Sequence, residues 1–186
     1  MHQNASDISP LIQGCLAGQT AAQRSLVQQF APWLMSVARR YARNKAEAQD
    51  ILQDAFVHIF NKIGTFNPEK GSFQAWMHRI VINTALMHYR KFHFEHEKGV
   101  DILPDTLNIA PDIFSKLNFD ELIDLISTLP EGARQVFNLS VFDEFSHDEI
   151  AEILNIPAGT SRSLLSRARK ILQEKIKLQS HELARI

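Results

Sequence analysis

Near one end of the chain, Arg162, Ser163, Ser166, Arg167 and Lys170 stand at spacings of one, three and four, with Thr160 just ahead of them. On a helix they make one basic, hydroxyl-rich face. Guanidinium forks can read the O6 and N7 edge of guanine in a major groove, and hydroxyls and helix-terminal amides can hold phosphate. Leu165, Ala168, Leu172 and Ile176 recur at i, i+3, i+7 and i+11, which predicts the inward face of the same helix. Upstream, Ser146 and Glu149 have the spacing of a capping box, and Ile150, Ala151, Ile153 and Leu154 follow as a short apolar helix. Residues 155–159, Asn-Ile-Pro-Ala-Gly, turn the chain, with Pro157 placed to begin the next helix. A short helix, a tight turn and a basic second helix form a helix-turn-helix suited to the major groove. The same residues also fit a packed helical hairpin with a solvated basic face.

A second cluster joins rings, an amide and cations: Phe73, Trp76, Arg79 and Asn83, followed by Arg90 and Lys91. Aromatic rings stack on bases at ~1–3 kcal/mol each. The alternative for Trp76 is a place in the core. A third cluster is acidic: Asp50, Gln53, Asp54 and Val57 share a face opposite the apolar stripe that begins at Ile51 and Leu52. An acidic, partly apolar patch suits a basic helical partner. Two solvated aspartates on an ordinary amphipathic helix give the same spacing.

Other reactive side chains are fewer. His88, His93 and His96, with Glu95 and Glu97, have metal-ligand types, but such side chains near a helix end are usually solvated and no metal is expected. Cys15, the single cysteine, can form no internal disulfide and reads as a small apolar residue. No Ser-His-Asp set, phosphate-cradling glycine loop or paired-carboxylate site is evident, so no catalytic residue, cofactor or small-molecule substrate is expected.

These side chains need helices to carry them, and the apolar spacing is helical almost throughout. Ile51, Leu52, Ala55, Phe56, Ile59 and Phe60 form one stripe of a helix from about 45 to 63. Residues 8–18 and 20–42 read as earlier helices, with Pro32 a break or a first-turn residue. Residues 64–71, with two glycines and a proline, form a loop, and Ser72 caps a helix running to Lys91 or beyond. Gly99, Pro104 and Pro111 mark a linker, and four helices follow at roughly 118–128, 131–142, 147–154 and 158–179. The fold class is all-α: two small helical domains, 1–98 and 118–186, joined by a flexible acidic linker, 99–117.

At 186 residues, 45% hydrophobic and 22% charged, the chain can bury a core, which excludes wholesale disorder. No apolar run approaches the ~20 residues of a membrane span, and the polar opening has no secretory pattern, so a cytoplasmic protein is expected. The net charge of −1 argues against nucleic acid only if it is evenly spread. It is not: residues 1–100 carry +4, residues 101–156 carry −10 and residues 157–186 carry +5. Screening acts over ~8 Å, so a basic face binds phosphate whatever the total charge.

From Thr128 to Leu172 the sequence resembles the fourth conserved region of bacterial RNA polymerase sigma factors of the extracytoplasmic-function (ECF) group, which keeps only the second and fourth regions. Ala48 to Phe60 is similar to that family's core-binding helix, and Phe73 to Lys91 to its promoter-melting segment. The resemblance covers roughly residues 40–98 and 118–180. It implies a non-enzymatic subunit that directs promoter recognition, DNA melting and transcription initiation. Asp50, Ile51, Leu52, Gln53, Asp54 and Val57 would then meet the beta and beta-prime subunits of core polymerase. Phe73, Trp76, Arg79, Asn83, Arg90 and Lys91 would meet the minus-ten element, and Thr160, Arg162, Ser163, Ser166, Arg167 and Lys170 the minus-thirty-five element. It also implies an anti-sigma factor, often a membrane-attached one. Three positions depart from the family pattern: Met87 for a common Asp, Ser161 for a usual Val and Leu164 for a usual Arg. The competing readings are a stand-alone helix-turn-helix regulator and, more remotely, a helical metalloenzyme.

Overall fold

The structure, a computed structural model, describes residues 5–93 and 118–183, with side chains for 8–88 and 118–178. The chain divides into two compact units, Met1–Phe92 and His93–Ile186, and the described residues contain helices and no strand. The expected linker, 99–117, lies outside the described residues.

The first unit holds α1 (Ala5–Leu16), α2 (Thr20–Tyr41), α3 (Lys45–Lys62) and α4 (Phe73–His93). Leu26, Phe30, Leu34, Val37 and Tyr41 recur every three or four residues on α2, and all are buried. They pack against α3, whose Ala48, Ile51, Ala55 and Ile59 are buried at the same period. Asn44 starts α3 by accepting the Glu47 amide at 2.9 Å, and Glu47 returns a carboxylate to the Arg43 amide and guanidinium. Ser72 caps α4 as its type predicts, its hydroxyl accepting from the Ala75 amide.

Pro32 neither breaks nor begins a helix: it sits exposed in the middle of α2, which runs through it. The proline removes one amide donor and crowds the carbonyl a turn before it, at ~3 kcal/mol. Phe30, Leu34 and Val37 on either side are at most 3% exposed, and their burial, at ~1.5–3 kcal/mol per side chain, offsets that cost. The 64–71 loop contains two single 3-10 turns, Ile63–Thr65 and Pro68–Lys70, and closes at Gly71 with φ 142°, a conformation that favours glycine.

The second unit holds α5 (Phe119–Ser127), α6 (Glu131–Phe137), α7 (His147–Leu154) and α8 (Ala158–Leu183). Both α5 and α7 begin with complete capping boxes, Asn118 with Glu121 and Ser146 with Glu149. The expected single helix over 131–142 is α only to Phe137, and Asn138–Phe142 forms one wide π turn. Its carbonyl at Asn138 accepts from the Asp143 amide five residues on, and Glu144 at φ 58° ends it. Helices α6 and α7 pack on α8 around Phe137, Leu139, Ile150, Leu165, Ala168 and Leu172, all at most 3% exposed.

Candidate functional site

Three surfaces carry the predicted chemistry. On α3, Asp50, Gln53, Asp54 and Val57 are exposed and lie at i, i+3, i+4 and i+7, one face of the helix. Ile51 and Leu52, expected on the same surface, are 1% and 9% exposed; an apolar stripe one position out of phase with the acids points into the domain. Their side chains pack in the core of the unit. The acidic face borders an open groove of about 790 Å³, lined also by His58, Met87 and His88. His88 crosses it, its Nε2 lying 2.8 Å from Asp54 Oδ2. The histidine that offered a metal ligand is thus paired with a carboxylate. His93 and His96, with Glu95 and Glu97, lie outside the described side chains, and among the described residues no group of three ligand-type side chains converges.

On α4, Trp76, Arg79 and Asn83 lie at i, i+3 and i+7; Arg79 and Asn83 are exposed and Trp76 is half-buried. Phe73 is 5% exposed, so it supports the surface from beneath. Its ring lies 5.4 Å from Trp76, and Phe66 completes the cluster at 5.1 Å from Phe73 and 5.9 Å from Trp76. Beside them opens an apolar pocket of about 260 Å³ lined by Ile8, Phe30, Phe66, Pro68, Phe73 and Gln74. Phe66 and Pro68 stand out only in the structure, because a glycine-rich loop announces a turn and not which of its side chains meet the following helix. Arg90 and Lys91 continue α4 along its backbone, and their side chains lie outside those described.

On α8, Arg162, Arg167 and Lys170 are exposed and Thr160 is half-buried. Ser163 and Ser166 are not on that open surface: they are 3% and 2% exposed, and Ser163 Oγ donates to the Thr160 carbonyl at 3.0 Å. A hydroxyl bonded to its own backbone has less to offer a phosphate. Helix α7 ends at Asn155, whose φ of 55° is left-handed, and its amide bonds the Ala151 carbonyl; Pro157 then accepts the Ser161 amide to close the first turn of α8. The turn that joins the two helices is therefore fixed by local signals.

Residues 26–93 match the family model for sigma-70 region 2, and residues 119–172 match that for sigma-70 region 4. The chain belongs to the ECF group of sigma-70 RNA polymerase sigma factors. The sigma factor is 29% identical over 174 residues to the ECF factor SigW of Bacillus subtilis, covering 86% of this chain and 91% of that one. It is 25% identical over 181 residues to the RNA polymerase sigma-H factor of Pseudomonas aeruginosa, covering 88% and 91%. A solved sigma factor of Bartonella quintana, RpoE, shares the fold at a TM-score of 0.52 and 23% identity, over 83% of this chain and 96% of that one. The two matched regions fall on the two compact units, and a stand-alone helix-turn-helix regulator has no use for the first. The sigma factor acts in transcription initiation, and no helix among its described residues is long and apolar enough to cross a membrane.

Proposed function

We propose that the sigma factor docks on core polymerase through the exposed face of α3, captures single-stranded minus-ten DNA on α4 and reads the minus-thirty-five element with α8. The observation that carries this reading is the face of α4. Trp76 is held at its edge by Phe66 and Phe73, half out of the core, with Arg79 and Asn83 exposed one and two turns along. A ring fixed in that way can stack on an unstacked base, a guanidinium can hold the adjoining phosphate and an amide can pair with a base edge. The apolar pocket beside the cluster offers the same base a second wall.

On α3, the aspartates and Val57 suit a basic, partly apolar surface of the beta and beta-prime subunits. On α8, Arg162 and Arg167 supply the base-reading forks and Lys170 a phosphate contact. The sigma factor works in the cytoplasm, catalyses no reaction of its own and is held inactive by an anti-sigma factor. The Bartonella quintana relative in fold was solved with an anti-sigma factor, NepR, which supports that last assignment. Run-off transcription with core polymerase tests the reading: a promoter-dependent transcript is expected only when the chain is added. Absence of both polymerase association and transcript on a template selected with the reconstituted holoenzyme would sink it.

A further inference from the structure

We propose that His147 is a positioning residue for promoter recognition, holding the first turn of α8 in register through Ser161. The inference rests on the reading of α8 as the minus-thirty-five helix.

His147 Nδ1 lies 2.8 Å from Ser161 Oγ, joining the first residue of α7 to the first turn of α8 across fourteen residues of chain. Both ends of this link are fixed. His147 follows directly on the capping box, where the Ser146 amide donates to Glu149 Oε2 at 2.8 Å and Ser146 Oγ accepts from the Glu149 amide. Ser161 is 0% exposed, and its amide closes the first turn on Pro157. Water does not compete for a hydroxyl at that depth, and removing its partner leaves a buried polar group to be satisfied elsewhere.

Around this pair the seam between α7 and α8 is apolar, with Ile150, Leu165 and Ala168 nearly or fully buried. Apolar contacts tolerate small sliding and rotation, whereas a hydrogen bond of this length is directional. The distinction matters because Arg162 is the next residue after Ser161 and is exposed. At the ~6 Å rim of a helix, a rotation of ~10° moves a side chain by ~1 Å. Displacement on that scale spoils a bidentate contact to guanine, whose two acceptors must be met together. The Pro157 carbonyl accepts the Ser161 amide and not its hydroxyl, so that bond closes a turn and does not join the two helices.

The test uses the full chain assembled with core polymerase and a promoter pool randomised over the minus-thirty-five positions, sequenced after capture. The wild-type holoenzyme is expected to enrich a defined motif. His147→Ala and Ser161→Ala should each lower that enrichment by ~5-fold, the double variant no further than the stronger single, as coupled partners do. His147→Asn, whose side chain offers a polar atom near the place of Nδ1, should restore most of it, which a loss through general destabilisation would not allow. Ser161→Ala should still fold, since alanine is well tolerated in a helix, and a thermal melt of each variant checks that the loss is one of recognition. Unchanged enrichment in both single variants, with Arg162→Ala still flattening the motif, overturns the role of His147 and leaves the reading of α8 intact. Absence of any motif with the wild-type chain overturns that reading itself, and the positioning role with it.

Discussion

Asp54 on α3 and His88 on α4, thirty-four residues apart, meet at 2.8 Å across the groove that borders the acidic face. The aspartate side chain is 56% exposed and the histidine 22%, so screening keeps the contribution of the pair to stability within ~1 kcal/mol. Its effect is on direction: the carboxylate is held over the groove. Asp54→Ala is expected to weaken association with core polymerase by ~10-fold, or ~1.4 kcal/mol, while unfolding changes little. Titration of labelled core polymerase, paired with thermal melts, checks both, and an unaltered affinity removes Asp54 from the docking surface.

Phe73 and Trp76 touch each other but do different work. Trp76→Ala is expected to lower open-complex formation by ~10-fold or more with polymerase affinity retained, since a stacked base contributes ~1–3 kcal/mol. Phe73→Ala, at 5% exposure, should instead cost the fold ~3–5 kcal/mol. Permanganate footprinting reads the first and chemical denaturation the second. Normal melting with Trp76→Ala would place that ring in the core alone.

Exposure separates the residues of α8 in the same way. Arg162→Ala and Arg167→Ala are each expected to cost ~1–3 kcal/mol in minus-thirty-five recognition, and Lys170→Ala to weaken binding uniformly and lower the salt slope by about 1. Ser163→Ala should leave sequence preference unchanged, because its hydroxyl already bonds the Thr160 carbonyl. Affinities measured across a salt series on matched and mismatched promoters distinguish these outcomes.

Cys15 is 6% exposed, and burial pushes its thiol above the ordinary value of 9.0. The folded chain therefore favours the neutral thiol. Below 9.0 the thiol is protonated in both states and stability does not change with pH on its account; as pH rises from there through the folded value, the unfolded chain releases the proton more readily and stability is lost. Alkylation by iodoacetamide at neutral pH should be slow in the native chain and fast in denaturant. Rapid native labelling would show that the α1 side chain reaches solvent.

The elements that position the site were legible because their start and stop signals are local. Asn44, Ser72, Ser146 and Asn155 each act within three or four residues, and the helices they bound begin or end where those types predict. What periodicity leaves open is which helix faces which. It places Asp54 and His88 on faces of their own helices but not within bonding distance, and it places Ser163 and Ser166 beside Arg162 without saying that they are covered. Ile51 and Leu52 show the reverse: within a motif taken as a unit, single side chains turn into the core. Pro32 was misplaced because a residue's own preference is weaker than the burial of its neighbours.

The left-handed turn at Asn155, the capping box before it and Pro157 after it use none of the exposed arginines of α8. Frame and reading head are thus separate sets of residues. Arg162 and Arg167 can be exchanged for other side chains without disturbing a cap, a turn or a buried contact, so a duplicated copy of this gene could acquire a new set of promoters by a few substitutions while still folding as its parent does.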